Sequence, residues 1–122
     1  MQGKRLERVN QLIKEEVSML LHRELKDPRL GFVTVTEVEV TPDLKHAKVY
    51  VSVLGPEERW VSSLAALDSA RGFVWNWLRR HLDLRVTPDL AFRPDRSMEH
   101  AAHIQSLLAD LRAREDGPAS GT

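Results

Sequence analysis

The sequence predicts an α+β domain in which helices cover one face of a three-stranded sheet. Three observations support this fold class. Apolar residues recur at helical spacing over 5–25 and 97–115, they alternate at strand spacing within 32–54, and a glycine interrupts a helical run at residue 72. The chain has 122 residues, 42% hydrophobic and 30% charged, which is typical of one soluble globular domain.

The first helix is predicted over residues 5–25. Its apolar residues recur every three or four positions and form one stripe, namely Leu6, Val9, Leu12, Ile13, Val17, Leu20, Leu21 and Leu25. Asp27-Pro28 ends this helix, because the residue before a proline is disfavoured in the α region.

Residues 32–54 are predicted to form two antiparallel strands. In FVTVTEVEV the phase of the valines changes at Thr36-Glu37, and a bulge there would keep all of them on one face. Pro42 and Asp43 predict a turn over 41–45. HAKVYVSVL then alternates apolar and polar side chains, so we expect one face of the sheet to be wet.

Gly72 divides the next helical run into two parts with different apolar faces. Before the glycine the apolar residues are Trp60, Val61, Leu64, Ala65 and Leu67, and after it they are Phe73, Val74, Trp77, Leu78 and Leu82. At ~100° per residue the two sets point in different directions, so one straight helix could not bury both against one sheet. The sequence therefore predicts two helices at an angle, joined by a kink at Ala70-Arg71-Gly72.

A third strand is predicted around Leu90 and Phe92, which alternate between Pro88 and Pro94, with Val86 as a possible additional member. The two prolines keep this strand short. It completes a three-stranded sheet.

The last helix is predicted over 97–115, with Ser97 as its N-cap. Its apolar stripe consists of Met98, Ala101, Ile104, Leu107, Leu108 and Leu111. Small and polar residues over 116–122 predict a disordered C-terminal tail. Residues 1–115 are then a single domain.

Composition excludes several classes of protein. The chain has no cysteine, so we expect no disulfide framework and no thiolate chemistry. MQGKRLERVN contains no apolar segment typical of a secretion signal, and no apolar run approaches the ~20 residues of a membrane span. We expect a cytoplasmic protein without a membrane contact.

Positive charge occurs in two blocks although the net charge is zero. Residues 1–30 carry seven Lys/Arg against five Asp/Glu, residues 71–96 carry six against three, and the other two segments are net negative. If the fold joins the two blocks, the protein has a basic face suited to RNA. The alternative is ordinary clustering on a solvated surface.

Arginines follow the kink, and this residue type suits phosphate because its guanidinium binds two oxygens at once. A helix beginning near Gly72 would also offer backbone N–H groups to a phosphate, with a glycine that allows close approach. The alternative is that Gly72 only permits the bend. Together with the remaining cations, the candidate RNA-binding residues are Lys4, Arg5, Arg8, Lys26, Arg29, Lys45, Lys48, Arg71, Gly72, Arg79, Arg80, Arg85, Arg93 and Arg96.

Trp75 falls between the apolar stripes, whereas Trp60 and Trp77 fit them and are expected in the core. An exposed Trp75 could stack on a base. The favoured interpretation is that Trp75 packs against the first helix.

The order helix, strand, strand, helix, helix, strand is that of type II KH domains. A GxxG loop joins the paired helices of KH domains and clamps a nucleic-acid backbone. Here Ala70-Arg71-Gly72 stands in its place. With this substitution the chain resembles ribosome-binding factor A, a bacterial family of small-subunit assembly factors. The resemblance is carried by KDPRLG at 26–31, TPDLKHAKVYVSVLG at 41–55, the kink, and LRVTPDLAFRPDRSMEHAAHI at 84–104, and it covers about residues 4–108.

The resemblance implies a type II KH-like fold and a non-catalytic partner of RNA. Members of the family look like proteins that bind free 30S subunits, and not 70S ribosomes, during late maturation. A monomer is the default expectation for this chain. They support processing of the 16S rRNA precursor near its 5′-terminal helix and growth in the cold. No cofactor or metal is implied.

Two alternatives belong to other classes. One is a general single-stranded RNA-binding KH module without ribosome specificity. The other is a small metal-dependent hydrolase that uses His100 and His103, which share one helix face with Glu99 nearby. The order HExxH is absent, and His81 is the only nearby candidate for a third ligand.

Overall fold

Three strands form the sheet in the computed structural model of the chain, in the order β1-β2-β3. They are β1 (Phe32–Val40), β2 (His46–Leu54) and β3 (Asp89–Pro94). β2 lies in the centre, antiparallel to β1 and parallel to β3. The structure describes residues 2–121, with side chains for residues 3–115.

One face of the sheet is apolar and the other faces solvent. The buried side chains are Val33, Val35, Val38, Val40, Ala47, Val49, Val51, Val53 and Leu90. The predicted bulge is confirmed, because Val35 pairs with Val51 and Glu37 with Tyr50, leaving Thr36 between them. Without the extra residue, the side chains after it would change faces.

Four helices accompany the sheet: α1 (Gln2–Arg23), α2 (Glu57–Ser69), α3 (Arg71–His81) and α4 (Ser97–Gly121). α1 packs mainly on β1, α2 on β2 and β3, and α3 on β3 and α1, all on the apolar face. The predicted fold class and element order are confirmed.

The first helix differs from its prediction at its ends and on one side. It ends at Arg23, before the Asp27-Pro28 signal, and the amides of Glu24 and Leu25 both donate to the carbonyl of Leu20. Leu12, assigned to the stripe, is 39% exposed because it lies at the margin of the face that contains Ile13.

The predicted break between two helices is confirmed, and of the three predicted junction residues it is Ala70 that lies between α2 and α3. This residue has φ −89° and ψ 1°, and α3 begins directly after it. The buried sets also differ from those predicted. Val61 is 63% and Phe73 50% exposed, whereas Ser63 and Ala66 are buried. The face that α2 and α3 bury is therefore narrower than the apolar stripes in the sequence predict. Small side chains occupy positions where the helix lies close to the sheet.

The turn between β1 and β2 is confirmed, and its geometry is set by Asp43. The Asp43 Oδ1 atom accepts hydrogen bonds from the Thr41 hydroxyl at 2.6 Å and the Lys45 amide at 3.0 Å. These bonds lower the pKa of the Asp43 carboxyl, the Thr41 bond most. Leu44 adopts the left-handed region with φ 63°, which its side chain does not favour and the sequence did not reveal.

β3 begins at Asp89, so Val86 lies outside the strand and is 41% exposed. Pro88 is buried next to the start of the strand. The segment before β3 is therefore buried through Pro88 and not through Val86. The expectation that Val86 belongs to the strand is wrong.

α4 is the largest departure from the sequence analysis. The five large side chains of its predicted apolar stripe are 43–71% exposed, namely Met98, Ile104, Leu107, Leu108 and Leu111. The apolar face of the sheet is covered by α1, α2 and α3, and α4 makes little contact with it. The helical backbone also continues past residue 115 to Gly121, since extending a formed helix is easier than nucleating one. Thr122 and the side chains of 116–121 lie outside the described residues, and disorder of this tail stays a prediction.

Among the side chains described for α4, the contacts with the domain are at its start. The Thr36 hydroxyl donates to Asp95 Oδ2 at 2.6 Å, and Asp95 Oδ1 accepts from the backbone amide and the hydroxyl of Ser97. Asp95, and not Ser97 as predicted, therefore supplies the capping oxygen. The Arg96 guanidinium lies 4.1 Å from the centroid of Trp60 and bridges Glu57 at 2.8 Å and Glu99 at 3.2 Å.

Ser63 connects α2 to the loop before β1. It is fully buried, and its hydroxyl accepts a hydrogen bond from the Gly31 amide at 2.9 Å. We expect Ser63→Ala to lower the free energy of unfolding by about 1–2 kcal/mol, because the amide of Gly31 would lose its partner. Urea titration measures the change. Ser62→Ala, in the same helix and more exposed, is the control and should change it by less than about 0.5 kcal/mol; equal effects would contradict the assigned role.

Asp95 makes stability depend on pH. Hydrogen bonds from Ser97 and then Thr36 hold the pKa of its carboxyl below the ordinary value of 3.8. The carboxylate therefore stabilises the fold above the pKa of the unfolded chain, and this contribution is lost as pH falls through the folded pKa. Asp95→Asn should destabilise the protein at pH 7, with a gap to wild type that narrows below pH ~4. Urea titrations at pH 7 and below pH ~4 measure the gap in the free energy of unfolding. Asp110→Asn on α4 is the control. A gap independent of pH would contradict it.

Candidate RNA interface

An open groove of about 1230 Å³ lies at the end of the sheet where β1 ends and β2 and β3 begin. We call this the hairpin end. Four segments meet there: the start of α1, the ends of the β1–β2 hairpin, the first residues of β3, and the junction of α2 with α3. The groove is lined in part by Leu6, Asn10, Thr41, Asp89, Gly72 and Trp75.

Gly72 lies in the first turn of α3, on the wall of the groove. A Cβ atom added at this position would meet nothing within 4 Å, and Gly72 does not have a positive φ. Neither packing nor backbone conformation therefore requires a glycine here. The first backbone N–H groups of a helix also have no partners within the helix, so this turn can offer donors to an anion.

Cations from separate segments surround the groove. Arg71, Lys48 and Arg93 line it, and Lys48 and Arg93 belong to the wet face of the sheet. Arg5 and Arg85 line an adjoining cavity of about 300 Å³, which shares Leu6 with the groove. Lys4 and Arg8 are exposed on the first turns of α1, and Lys45 is exposed in the turn. The two basic blocks of the sequence thus meet at the hairpin end.

Acidic side chains in the groove moderate this charge. Asp68 forms an ion pair with Arg71 at 3.1 Å, between side chains that are both more than half exposed. Glu39 is the partner of Lys48 in the strand register and accepts a hydrogen bond from the Tyr50 hydroxyl at 3.1 Å. That bond raises the pKa of Tyr50. A phosphate that binds Arg71 would displace the carboxylate of Asp68. Because the ion pair is exposed to solvent, breaking it costs little free energy.

Three candidate residues lie at the end of the sheet opposite the groove. Lys26 and Arg29 are in the loop between α1 and β1, at the far end of a nine-residue strand that spans about 27 Å. Arg29 is bound to Asp27 at 2.8 Å, which raises the pKa of Arg29 and lowers that of Asp27. Arg96 lies at the same end, held by Glu57 and Glu99.

The tryptophans have different surroundings. Trp75 is partly buried and its indole N–H donates to the carbonyl of Thr87 at 3.2 Å, which ties it to the segment before β3. Packing of Trp75 against α1 stays a prediction. The Arg79 guanidinium lies 5.7 Å from the centroid of Trp75. Arg80, next along α3, is exposed.

Trp60 is in the core as predicted, and its indole nitrogen is buried with no hydrogen-bond partner among the described atoms. Trp77 is only partly buried. Its indole N–H donates to Glu16 on α1 at 2.8 Å, and its ring stacks on His81 at 3.9 Å.

The histidines on α4 do not form a metal cluster. Within the part of the chain that the structure describes, no group of three or more His, Cys, Asp or Glu side chains could hold a metal ion. His81 stacks on Trp77 of its own helix.

Sequence reasoning missed several polar residues of the groove, including Asn10, Asn76 and His46. Asn10 is held in place because its Oδ1 accepts a hydrogen bond from the Val40 amide at 2.9 Å. Asn10 and Asn76 belong to none of the quoted motifs, and His46, although it lies within 41–55, is not one of the cations that the charge pattern identifies. Only the assembled fold brings them together.

Residues 5–108 match the family model described as ribosome-binding factor A. The chain belongs to the ribosome-binding factor A family. The family carries the name of a ribosome-binding factor and not of a known enzyme. The resemblance identified from the sequence is confirmed.

Relatives and solved structures agree with this membership. The chain is 48% identical over 112 residues to ribosome-binding factor A of Desulfitobacterium hafniense, covering 92% of this chain and 90% of the relative. The crystal structure of the family member from Thermus thermophilus is 29% identical and covers 73% of this chain and 94% of its own, with a TM-score of 0.65. These neighbours have the KH-like fold, so the predicted fold class is confirmed.

A third match concerns a complex. A homology model of the Thermus thermophilus factor, fitted into a cryo-electron microscopy map of a 30S complex with that factor, is 31% identical to this chain. It covers 71% of this chain and 91% of its own, with a TM-score of 0.60. That protein is therefore described in a complex with 30S.

In no helix of residues 2–121 is there an apolar stretch long enough to cross a bilayer.

Replacing Gly72 separates its structural role from a binding role. We expect Gly72→Ala to raise the free energy of unfolding by up to about 1 kcal/mol, since alanine favours helix and the site is open. If the groove takes an RNA backbone, the same change should weaken binding. Urea titration and co-sedimentation with 30S subunits measure the two effects. Gly3→Ala, also helical and open, is the control for binding. Loss of stability in Gly72→Ala would show that the glycine is structural.

Proposed function

We propose that the protein binds the immature 30S ribosomal subunit through 16S rRNA and assists its late maturation without catalysing a reaction. Membership of the family and the 30S complex of a structural neighbour support a ribosomal partner. Processing of the 16S precursor near its 5′-terminal helix, preference for free 30S over 70S particles, and a role in the cold are parts of this proposal. The partner implies a cytoplasmic location.

The observation that carries the proposal is Gly72 on the wall of the groove. A glycine that neither packing nor backbone geometry requires leaves the α3 N-terminus open to close approach. Cations from the hairpin end surround the same turn. This combination suits a phosphodiester backbone, in which the phosphates need donors and the sugars need room.

In this proposal the protein acts by occupying its site on the RNA. RNA held across the α3 N-terminus and the surrounding cations is stabilised in one local fold, and the subunit is not used until the factor leaves. Arg71, Arg85, Lys48 and Arg93 contact phosphates in this proposal, with Arg5, Lys4, Arg8 and Lys45 extending the basic surface along α1 and the turn. Arg79 and Arg80 on α3 contribute beyond the groove.

Lys26, Arg29 and Arg96 are not among the residues proposed to bind RNA at the groove. The ion pairs of Arg29 and Arg96 fix the loop before β1 and the start of α4. Any RNA contact by these three residues would be a second one, at the opposite end of the sheet. It stays a prediction.

A general single-stranded RNA-binding module is the second candidate. The groove supports this candidate, because a groove of this kind can bind single-stranded RNA in the absence of ribosomal proteins. Binding to free 16S rRNA but not to 30S subunits would support this candidate over the first.

The decisive experiment is co-sedimentation of the full chain with purified 30S subunits, 70S ribosomes and free 16S rRNA. We expect wild type to sediment with 30S and not with 70S. Arg5→Glu/Arg85→Glu should weaken binding by about 100-fold, because it reverses two charges beside the groove. Raising the salt concentration should also weaken the binding of wild type, because salt screens the attraction between the cations and the phosphates.

The matched control is Lys14→Glu/Arg23→Glu, which makes the same charge change on α1 at two cations that line neither the groove nor the adjoining cavity. We expect it to bind within about threefold of wild type. If the control loses binding and the Arg5/Arg85 variant does not, the groove is the wrong site. If wild type binds neither 30S nor free RNA, the proposed function is wrong.

A further inference from the structure

Of the three tryptophans, Trp75 alone lines the groove at the hairpin end. Its indole N–H is bound to the carbonyl of Thr87 at 3.2 Å, so the polar atom of the ring is satisfied within the protein. The ring is partly buried, and what it presents to the groove is therefore aromatic surface. Trp60 is buried in the core, and Trp77 stacks on His81 of its own helix.

Trp75 belongs to a side of α3 that carries features for phosphate before and after the ring. Gly72, Trp75 and Arg79 are three and four residues apart, so they follow one another along this side at about 5 Å per step. Gly72 leaves the first turn open to a phosphate. The Arg79 guanidinium lies 5.7 Å from the ring centroid of Trp75, on the other side of the ring along the helix. A strand that follows this side meets a phosphate site, an aromatic ring and a cation in turn.

Two asparagine amides on the groove have orientations that the backbone fixes. The Asn76 Nδ2 atom donates to the carbonyl of Gly72 at 3.1 Å, and the Asn10 Oδ1 atom accepts from the Val40 amide at 2.9 Å. Asn76 therefore has its Oδ1 acceptor to spare and Asn10 its Nδ2 donor, neither of which has a partner among the side chains and backbone described over 3–115. The edges of unpaired bases carry donors and acceptors that such amides bind.

The charges that line the groove favour a base there over phosphates alone. Three lining side chains of each sign are present, namely Lys48, Arg71 and Arg93, and Glu39, Asp68 and Asp89. Carboxylates repel phosphate, so a site for phosphates alone would not carry as many of them as of cations. Carboxylates do accept hydrogen bonds from the amino groups of bases. The lining therefore suits a nucleotide with its base inside the groove and its phosphate at the first turn of α3.

We propose that Trp75 is the platform on which one unpaired base of the bound RNA stacks. The inference rests on the proposed binding of RNA at the groove and specifies its ligand, which is a single-stranded nucleotide and not a paired one. A base within a duplex is covered on both faces by its neighbours, so its face is closed to Trp75. The phosphates on either side of the stacked nucleotide lie at the Gly72 turn and beside Arg79.

The test compares two replacements of Trp75 in the full chain. Trp75→Leu and Trp75→Phe both remove the hydrogen bond to Thr87, but only phenylalanine keeps an aromatic face. We expect Trp75→Leu to weaken binding to purified 30S subunits by about tenfold, as for the loss of one stacked base, and Trp75→Phe by less than about threefold. Equal losses would overturn the inference, because the lost hydrogen bond would then explain both. Wild-type affinity in Trp75→Leu would overturn it as well.

Trp77→Leu is the matched control. It removes a second tryptophan of α3 that is also partly buried and also donates one hydrogen bond, to Glu16, but does not line the groove. We expect its binding to stay within about threefold of wild type, since no base stacks there. Urea titration of all three variants shows whether each is folded. If Trp77→Leu loses as much binding as Trp75→Leu, the inference is wrong.

A photo-crosslink identifies what lies at the ring. Trp75 is replaced by p-benzoylphenylalanine, and the chain is irradiated with purified 30S subunits. A crosslink to a nucleotide of 16S rRNA that chemical probing finds unpaired supports the inference. A crosslink to a paired nucleotide, to a protein or to nothing overturns it.

The failures of the two proposals are distinguishable. If wild type binds neither 30S subunits nor free 16S rRNA, the proposed function fails and the stacking on Trp75 fails with it. If wild type binds and Arg5→Glu/Arg85→Glu does not, while Trp75→Leu binds like wild type, only the stacking is wrong.

Discussion

The bulge at Thr36 is the constraint on which the rest of the structure depends. It places one extra residue in β1, so that the valines before and after it all face α1. The same residue directs its hydroxyl to Asp95, across β2 from its own strand. One irregularity in the sheet therefore sets both the register of the core and the position at which α4 leaves the domain. Loss of the bulge would expose half of the β1 valines.

Much of the fold could be predicted because its signals are local. Alternation within 32–54, with its change of phase, predicts both strands and the bulge from residue order alone. The change of apolar face around Gly72 predicts two helices. The break itself lies at Ala70, since a glycine with ordinary helical geometry does not have to be the residue at which the helix ends. Exposure of Val61 and Phe73 could not be read from the pattern, because it depends on how closely each helix approaches the sheet.

The candidate interface was predictable only in part. Charge blocks identified the cations of α1 and of the segment after the kink, and the fold brings these blocks together. The sequence did not separate Arg5 and Arg85 from Arg29 and Arg96, which neighbouring carboxylates hold. It also predicted an apolar stripe on α4 that the structure leaves exposed. Periodicity shows that a face is apolar, but not whether the chain has a surface left to cover it.

The parallel pairing of β3 with β2 has a consequence for how the protein folds. β1 and β2 are joined by a short turn, whereas β3 reaches β2 only after α2 and α3 have been made. Contacts between residues far apart in sequence form late, because a long loop must be closed first. Since β3 and α3 both line the groove, a chain with only its hairpin and first helix in place has no groove. A newly synthesised chain therefore gains this surface only when its last strand has joined the sheet.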